Sequence, residues 1–105
     1  MIHRGGVYEI DFPHAGPHPG VVVTREEAIP VLGSVTIALV TSNRRDHPAE
    51  VSLDDDGLDL RAGSVINCDD LATLPKSMVG KSRGYLSPGK LRELNGALAI
   101  ALGLD

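Results

Sequence analysis

Tryptophan is missing from this sequence, cysteine occurs once, and Tyr8, Phe12 and Tyr85 are the only aromatics. Cys68 alone forms neither an intrachain disulfide nor a zinc site, so a reducing compartment is the default and a small core residue is its expected role. With so few rings, stacking of bases on aromatic faces is a minor way of holding a nucleic acid. Cationic residues are short as well: 10 Lys and Arg stand against 14 Asp and Glu, a formal net charge of −4. Affinity for polyanions comes from Lys and Arg that displace counterions from phosphates, so a general polyanion binder is excluded and any nucleic-acid site has to be local. No stretch approaches the roughly 18 apolar residues that cross a bilayer, and Met1 to Gly6 lack the apolar centre of a signal peptide. The expectation is a cytoplasmic protein without membrane contact. P-loop, dinucleotide fingerprint, zinc spacing and nucleophile elbow are all absent, and neither a metal nor a cofactor is expected.

What is present reads as one domain over residues 1–105, since 42% hydrophobic and 23% charged residues match ordinary globular proteins of this length. Roughly a third of the unfolded surface of so small a chain stays exposed on folding, so a homodimer interface would complement a core poor in aromatics. Val7, Tyr8, Ile10 and Phe12 alternate imperfectly with Glu9 and Asp11, which predicts a half-buried strand. Pro13 to Gly20 holds three prolines and two glycines and predicts a rigid loop. Val21–Thr24 and Val35–Thr41 are rich in β-branched residues and predict central strands.

Asn43 to Pro48 reads as a polar loop, Ala49–Leu53 as a short strand, and Asp54-Asp55-Asp56-Gly57 as a solvated acidic turn without calcium-loop spacing. Ser64–Cys68 and Leu71–Leu74 read as one bent strand or two short ones. A turn or short helix at Pro75 to Val79 then leads to a last strand at Ser82–Leu86. Ser87-Pro88 supplies an N-cap hydroxyl and an N1 proline for a helix carrying Leu91, Leu94, Leu98 and Ala101 at helical spacing, with Gly103 as its stop. Five to seven short strands and one terminal helix predict a mainly β fold, an antiparallel barrel or small sandwich covered on one side by the helix.

Six segments, taken in order, carry a resemblance. They are Arg4-Gly5-Gly6-Val7-Tyr8-Glu9-Ile10-Asp11-Phe12, His18-Pro19-Gly20-Val21-Val22-Val23, Val40-Thr41-Ser42-Asn43, Glu50-Val51, Ser64-Val65-Ile66-Asn67-Cys68-Asp69-Asp70-Leu71, and Gly84 with Leu91, Leu94, Leu98 and Leu102-Gly103-Leu104. Their order and spacing resemble the MazF/PemK toxin family along almost the whole chain. The resemblance implies an SH3-like antiparallel barrel with a C-terminal helix, working as a homodimer. It also implies a metal-independent endoribonuclease that cuts single-stranded RNA such as mRNA at short sequences and is held inactive by a cognate antitoxin. Carried over by position, Thr41 matches the family Thr that contacts the scissile phosphate, and His18 stands where the family has its catalytic Arg. Only Pro13 to Pro17 separate Phe12 from His18, where the family commonly has a longer loop with a mobile lid, so a more open groove is expected.

Attack of a ribose 2′-OH on its own phosphate needs a base for that hydroxyl, an acid for the leaving 5′-oxygen, and stabilisation of the phosphorane. A guanidinium stays charged and forks onto phosphate, whereas an imidazole exchanges protons near neutral pH. His18 is therefore the expected general base or acid, Thr41 the expected phosphate-binding hydroxyl, and Arg25 or Arg44 the expected source of the missing charge. Arg25, Ser42, Asn43, Arg44, Arg45 and His14 are the candidate RNA contacts. Arg44 and Arg45 are neighbours on an extended chain, so at most one shares a groove with Thr41. An antitoxin segment is expected in the RNA groove with acidic side chains facing Arg44, Arg45 or Arg25. Two other readings stay open. One is a family member that binds antitoxin or RNA without cutting. The other is a gyrase-binding barrel of the CcdB kind, which depends on a Trp-Gly-Ile-like tail where this chain has Leu102-Gly103-Leu104-Asp105.

Overall fold

A computed structural model describes residues 1–13, 15–54 and 57–104. Its strands are β1 (Gly6–Phe12), β2 (Gly16–Val22), β3 (Ser34–Thr41), β4 (Glu50–Ser52), β5 (Val65–Pro75) and β6 (Val79–Tyr85), followed by helix α1 (Pro88–Leu102). All six strands share one antiparallel sheet in the order β4-β5-β3-β2-β1-β6. Short 3-10 turns at Glu26–Ala28 and Lys76–Met78 link β2 to β3 and β5 to β6.

Both faces of the inner strands are covered, which is why the neighbouring pairs Val21-Val22 and Ile37-Ala38 are apolar and buried on both sides instead of alternating. Val21, Ala38 and Val40 join one buried cluster with Val7, Ile66, Cys68 and, from α1, Leu94 and Ala97. Val22, Val35 and Ile37 join a second cluster with Tyr8, Ile10, Phe12 and Ile29. Cys68 is one of the core side chains, and burial pushes its thiol up to about 11, with Asp69 adding to the shift, so it stays protonated at neutral pH. The helix begins as its sequence predicts. The Ser87 hydroxyl accepts the Lys90 N–H at 3.2 Å, and Gly103 closes the last turn at φ 69°.

Two sequence expectations change, and one open alternative is decided. Pro13 to Gly20 is not one loop: β2 starts at Gly16 and pairs with β1 through Asp11–Pro17, Ile10–His18 and Glu9–Pro19. The prolines are tolerated because alternate residues of β2 point their backbone groups to opposite neighbours. Val22 accepts from Gly5 on the β1 side and Val23 donates to Thr36 on the β3 side, so Pro17 and Pro19 lack only donors that would face β3. The ladder to β3 ends earlier, at Gly20–Leu39. Ser64 to Leu74 resolves into a single strand β5, bent where its register against β3 shifts between Ala38 and Leu39. The last strand starts earlier than expected, at Val79. Of the acidic turn, Asp55 and Asp56 lie outside the described residues. Asp54 accepts the Gly63 N–H at 2.8 Å.

The N-terminal residues are clasped by Glu26, whose carboxylate accepts the Arg4 N–H at 2.8 Å and meets His3 Nδ1 at 2.9 Å. Arg4 reaches onward to Asn95 of α1 at 2.8 Å and to the Val23 carbonyl at 3.1 Å. The Arg4 backbone N–H, and after it the His3 ring, hold the Glu26 carboxyl below its ordinary value. A depressed carboxylate contributes stability above its unfolded pKa and loses it as pH falls through the folded one. Glu26→Gln is therefore expected to lower Tm slightly at pH 7, with the gap to the unchanged protein closing on acidification through the carboxylate range. Thermal melts across pH check this, and a gap that is constant or widens in acid contradicts it.

Candidate active-site groove

Where β2 begins and β3 ends, the sheet opens a groove of about 560 Å³. It is lined by Pro17, His18 and Pro19 of β2, Val40 and Ser42 at the end of β3, Asp59, Leu60, Arg61 and Ser64 from the β4–β5 connection, and Arg83 of β6. Its lining positions thus include Arg61, Arg83, His18 and two serines, with Asp59 as the one carboxylate, in a chain whose net charge is −4.

His18 owes its position to its flanking prolines, which fix the local backbone while Ile10 of β1 pairs with it. The paired β2–β3 register ends at Gly20–Leu39, two residues short of both His18 and Thr41. Thr41 in turn pairs with Val65, and Val65 with Ser52, so these positions lie in one row across β3, β5 and β4 and share a face of the sheet. The Thr41 hydroxyl oxygen accepts the Asn43 N–H at 3.1 Å and keeps its own proton to donate. Among the described residues that line the groove, Ser42 is present and Thr41 is not.

The other expected contacts are scattered. Arg44 turns to β4, with Nη2 at 3.0 Å from Ser52 Oγ and 3.4 Å from Asp54, in a separate hollow of about 320 Å³ that also includes His47 and Glu50. Arg45 is exposed, and the Glu50 carboxylate accepts its backbone N–H at 3.1 Å. Arg25 lines a third hollow with Ser34 and Thr36, at the opposite end of β3 from Val40 and Ser42, so the structure does not bring it to His18. His14 lies outside the described residues. Among the described residues, no group of three or more His, Cys, Asp or Glu is placed to hold a metal ion.

The residues that do accompany His18, Arg61 and Arg83, were not singled out from the sequence. Arg83 Nη1 donates to Asp59 at 3.0 Å and Nη2 donates to Glu9 at 2.9 Å. Hydrogen bonding to Asp59, then to Glu9, raises its pKa further above the ordinary guanidinium value. Arg83 and Glu9 are 74 positions apart, and only the β1–β6 pairing unites them. No local pattern announces such a contact. Arg61 is exposed, and its side chain has no hydrogen-bond partner among the described residues.

A six-stranded antiparallel sheet closed by a terminal helix, with its polar groove at the strand ends, is the architecture of the small SH3-like toxin barrels. Residues 3–102 match the family described as PemK-like, MazF-like toxin of type II toxin-antitoxin system, and the chain belongs to that family. It is 30% identical over 112 aligned positions to the endoribonuclease MazF of Staphylococcus saprophyticus, covering 99% of this chain and 93% of that protein. Among solved structures it resembles a mycobacterial endoribonuclease in complex with its cognate antitoxin, with a TM-score of 0.90, 30% identity, and 100% and 98% of the two chains covered. It also resembles the Mycobacterium tuberculosis toxin MazF-mt6, with a TM-score of 0.87, 30% identity, and 95% and 98% covered.

The floor behind His18 is tightly packed. A Cβ placed on Gly20 would overlap Ile37 Cγ2 and stand 3.1 Å from Ile10 Cγ1 and 3.2 Å from Phe12 Cζ, all in the core. Gly20→Ala is expected to destabilise the fold by about 1–3 kcal/mol through overpacking, outweighing the entropy that an alanine removes from the unfolded chain. Urea unfolding checks the sign, and a stabilised variant contradicts it.

Proposed function

We propose that the chain is the toxin of a type II toxin–antitoxin pair and cuts single-stranded RNA through attack of a ribose 2′-OH on the adjoining phosphate. The observation that carries this reading is one open groove at the end of β3 whose lining positions include His18, Arg61, Arg83 and Ser42. An imidazole supplies the proton transfer that the reaction needs, taking the 2′-OH proton or returning one to the departing 5′-oxygen. Guanidinium charge beside it stabilises the phosphorane as negative charge builds on its oxygens. The charge that an Arg at position 18 would have provided is supplied from the β4–β5 connection and β6. The Thr41 hydroxyl, at the end of β3 next to Ser42, donates to a phosphate oxygen. A cognate antitoxin covers this end of the sheet with acidic side chains, and Arg44 and Arg45, outside the groove lining, are the cations that would meet them. We further propose a homodimer, consistent with the exposed Tyr85, Ile100, Leu102 and Leu104.

Cleavage rates on a matched RNA test the assignment. His18→Ala is expected to lose about 10²-fold or more, as for a general acid–base residue. Thr41→Val is expected to lose about tenfold or more, the worth of a hydrogen bond to a charged group, and Ser42→Ala less. Full activity of His18→Ala discards the mechanism. A larger loss in Ser42→Ala than in Thr41→Val moves the phosphate hydroxyl to Ser42.

A further inference from the structure

Arg83 is already satisfied by two carboxylates, and the two differ in kind. Glu9 stands on β1, 2.9 Å from Nη2, and its side chain is 43% exposed. Asp59 stands in the β4–β5 connection, 3.0 Å from Nη1, and its side chain is 74% exposed. The Asp59 backbone N–H also donates to the Arg83 carbonyl at 3.3 Å, which keeps that carboxylate beside β6. Arg83 Nε is buried with no acceptor, so the pairing leaves one donor unmet.

An ion pair as exposed as Arg83–Asp59 is held weakly in water, and an RNA phosphate offers the planar guanidinium fork two oxygens at once for a charge-assisted, bidentate pair. Resting on the ribonuclease reading above, we propose that Arg83 is an RNA-phosphate ligand of the His18 groove, and that Asp59 fills its outer face in the free protein as a stand-in anion. An incoming phosphate displaces Asp59, while Glu9 keeps the guanidinium aimed into the groove. The charge balance agrees. With Asp59 in place, Arg61 and Arg83 are set against Asp59 and Glu9; with Asp59 swung out, Glu9 alone offsets the two guanidiniums. Asp59 is thus a competitor that any anion must outbid, a device for keeping an RNA groove on an acidic protein from taking up arbitrary anions.

The test measures binding and cleavage of a labelled single-stranded RNA pool by the unchanged protein, Asp59→Asn, Arg83→Met and the double variant, with folding monitored by circular dichroism. Asp59→Asn, at an exposed position, is expected to tighten binding about threefold. Arg83→Met is expected to weaken binding about tenfold or more and to lower the salt slope by about one phosphate contact. The gain from Asp59→Asn is expected to vanish once Arg83 is gone. If Arg83→Met does not fold, Arg83→Lys replaces it, with the same signs and smaller effects because the fork is lost while the charge remains. Unchanged or weaker binding by Asp59→Asn overturns the inference, as does an equal gain with and without Arg83. An unchanged protein that neither binds nor cuts the pool overturns the ribonuclease reading itself.

Discussion

Pro17 and Pro19 have no N–H to give toward β3, and the β2–β3 ladder ends at Gly20–Leu39, so the two strands run on to the surface unpaired with each other. The groove that holds His18 lies at that unpaired end. Behind it the sheet is tightly constrained. Val21 and Val22 of β2 face opposite cores, as do Ile37 and Ala38 of β3, so neither strand can slip by a residue without moving its apolar set to the wrong side. The rigidity of those strands and the missing donors at one end act together. They fix where the polar side chains emerge, and the open end leaves room between them.

Charge imposes the second constraint. An acidic chain meets RNA only through a local reserve of positive charge, and this one places Arg61 and Arg83 beside His18 while arranging carboxylates around Arg83. A permanently charged guanidinium at position 18 would join binding and catalysis in one side chain. With a histidine there, the proposed chemistry assigns proton transfer to β2 and charge stabilisation to the β4–β5 connection and β6, elements distant in sequence. The chain belongs to the PemK-like, MazF-like family and keeps two arginines in the groove lining at this end of the sheet.

Much of the architecture was legible from local pattern. β-branched runs marked β2 and β3, and Ser87-Pro88 with Gly103 bounded α1, because these signals depend on nearest neighbours and on burial period. The proline-rich segment misled, since a proline tolerated at the unpaired end of a strand looks in sequence like one that breaks a loop. The site was less legible than the fold. His18 and Ser42 came from segments near the strand ends, but Arg83 needs the β1–β6 pairing to reach Glu9 and the β4–β5 connection to reach Asp59, contacts that span 74 and 24 positions. Arg25 was equally plausible by residue type, yet the eight-residue length of β3 carries it to the far end.

The central claim is that this groove cuts RNA with its own side chains. The most direct measurement is to incubate the purified protein with a mixed single-stranded RNA pool in EDTA and determine the chemistry of the new ends. Attack by the 2′-OH predicts 2′,3′-cyclic phosphate on one fragment and a free 5′-hydroxyl on the other. An uncut pool, or fragments bearing 5′-phosphate and 3′-hydroxyl ends, would contradict the account.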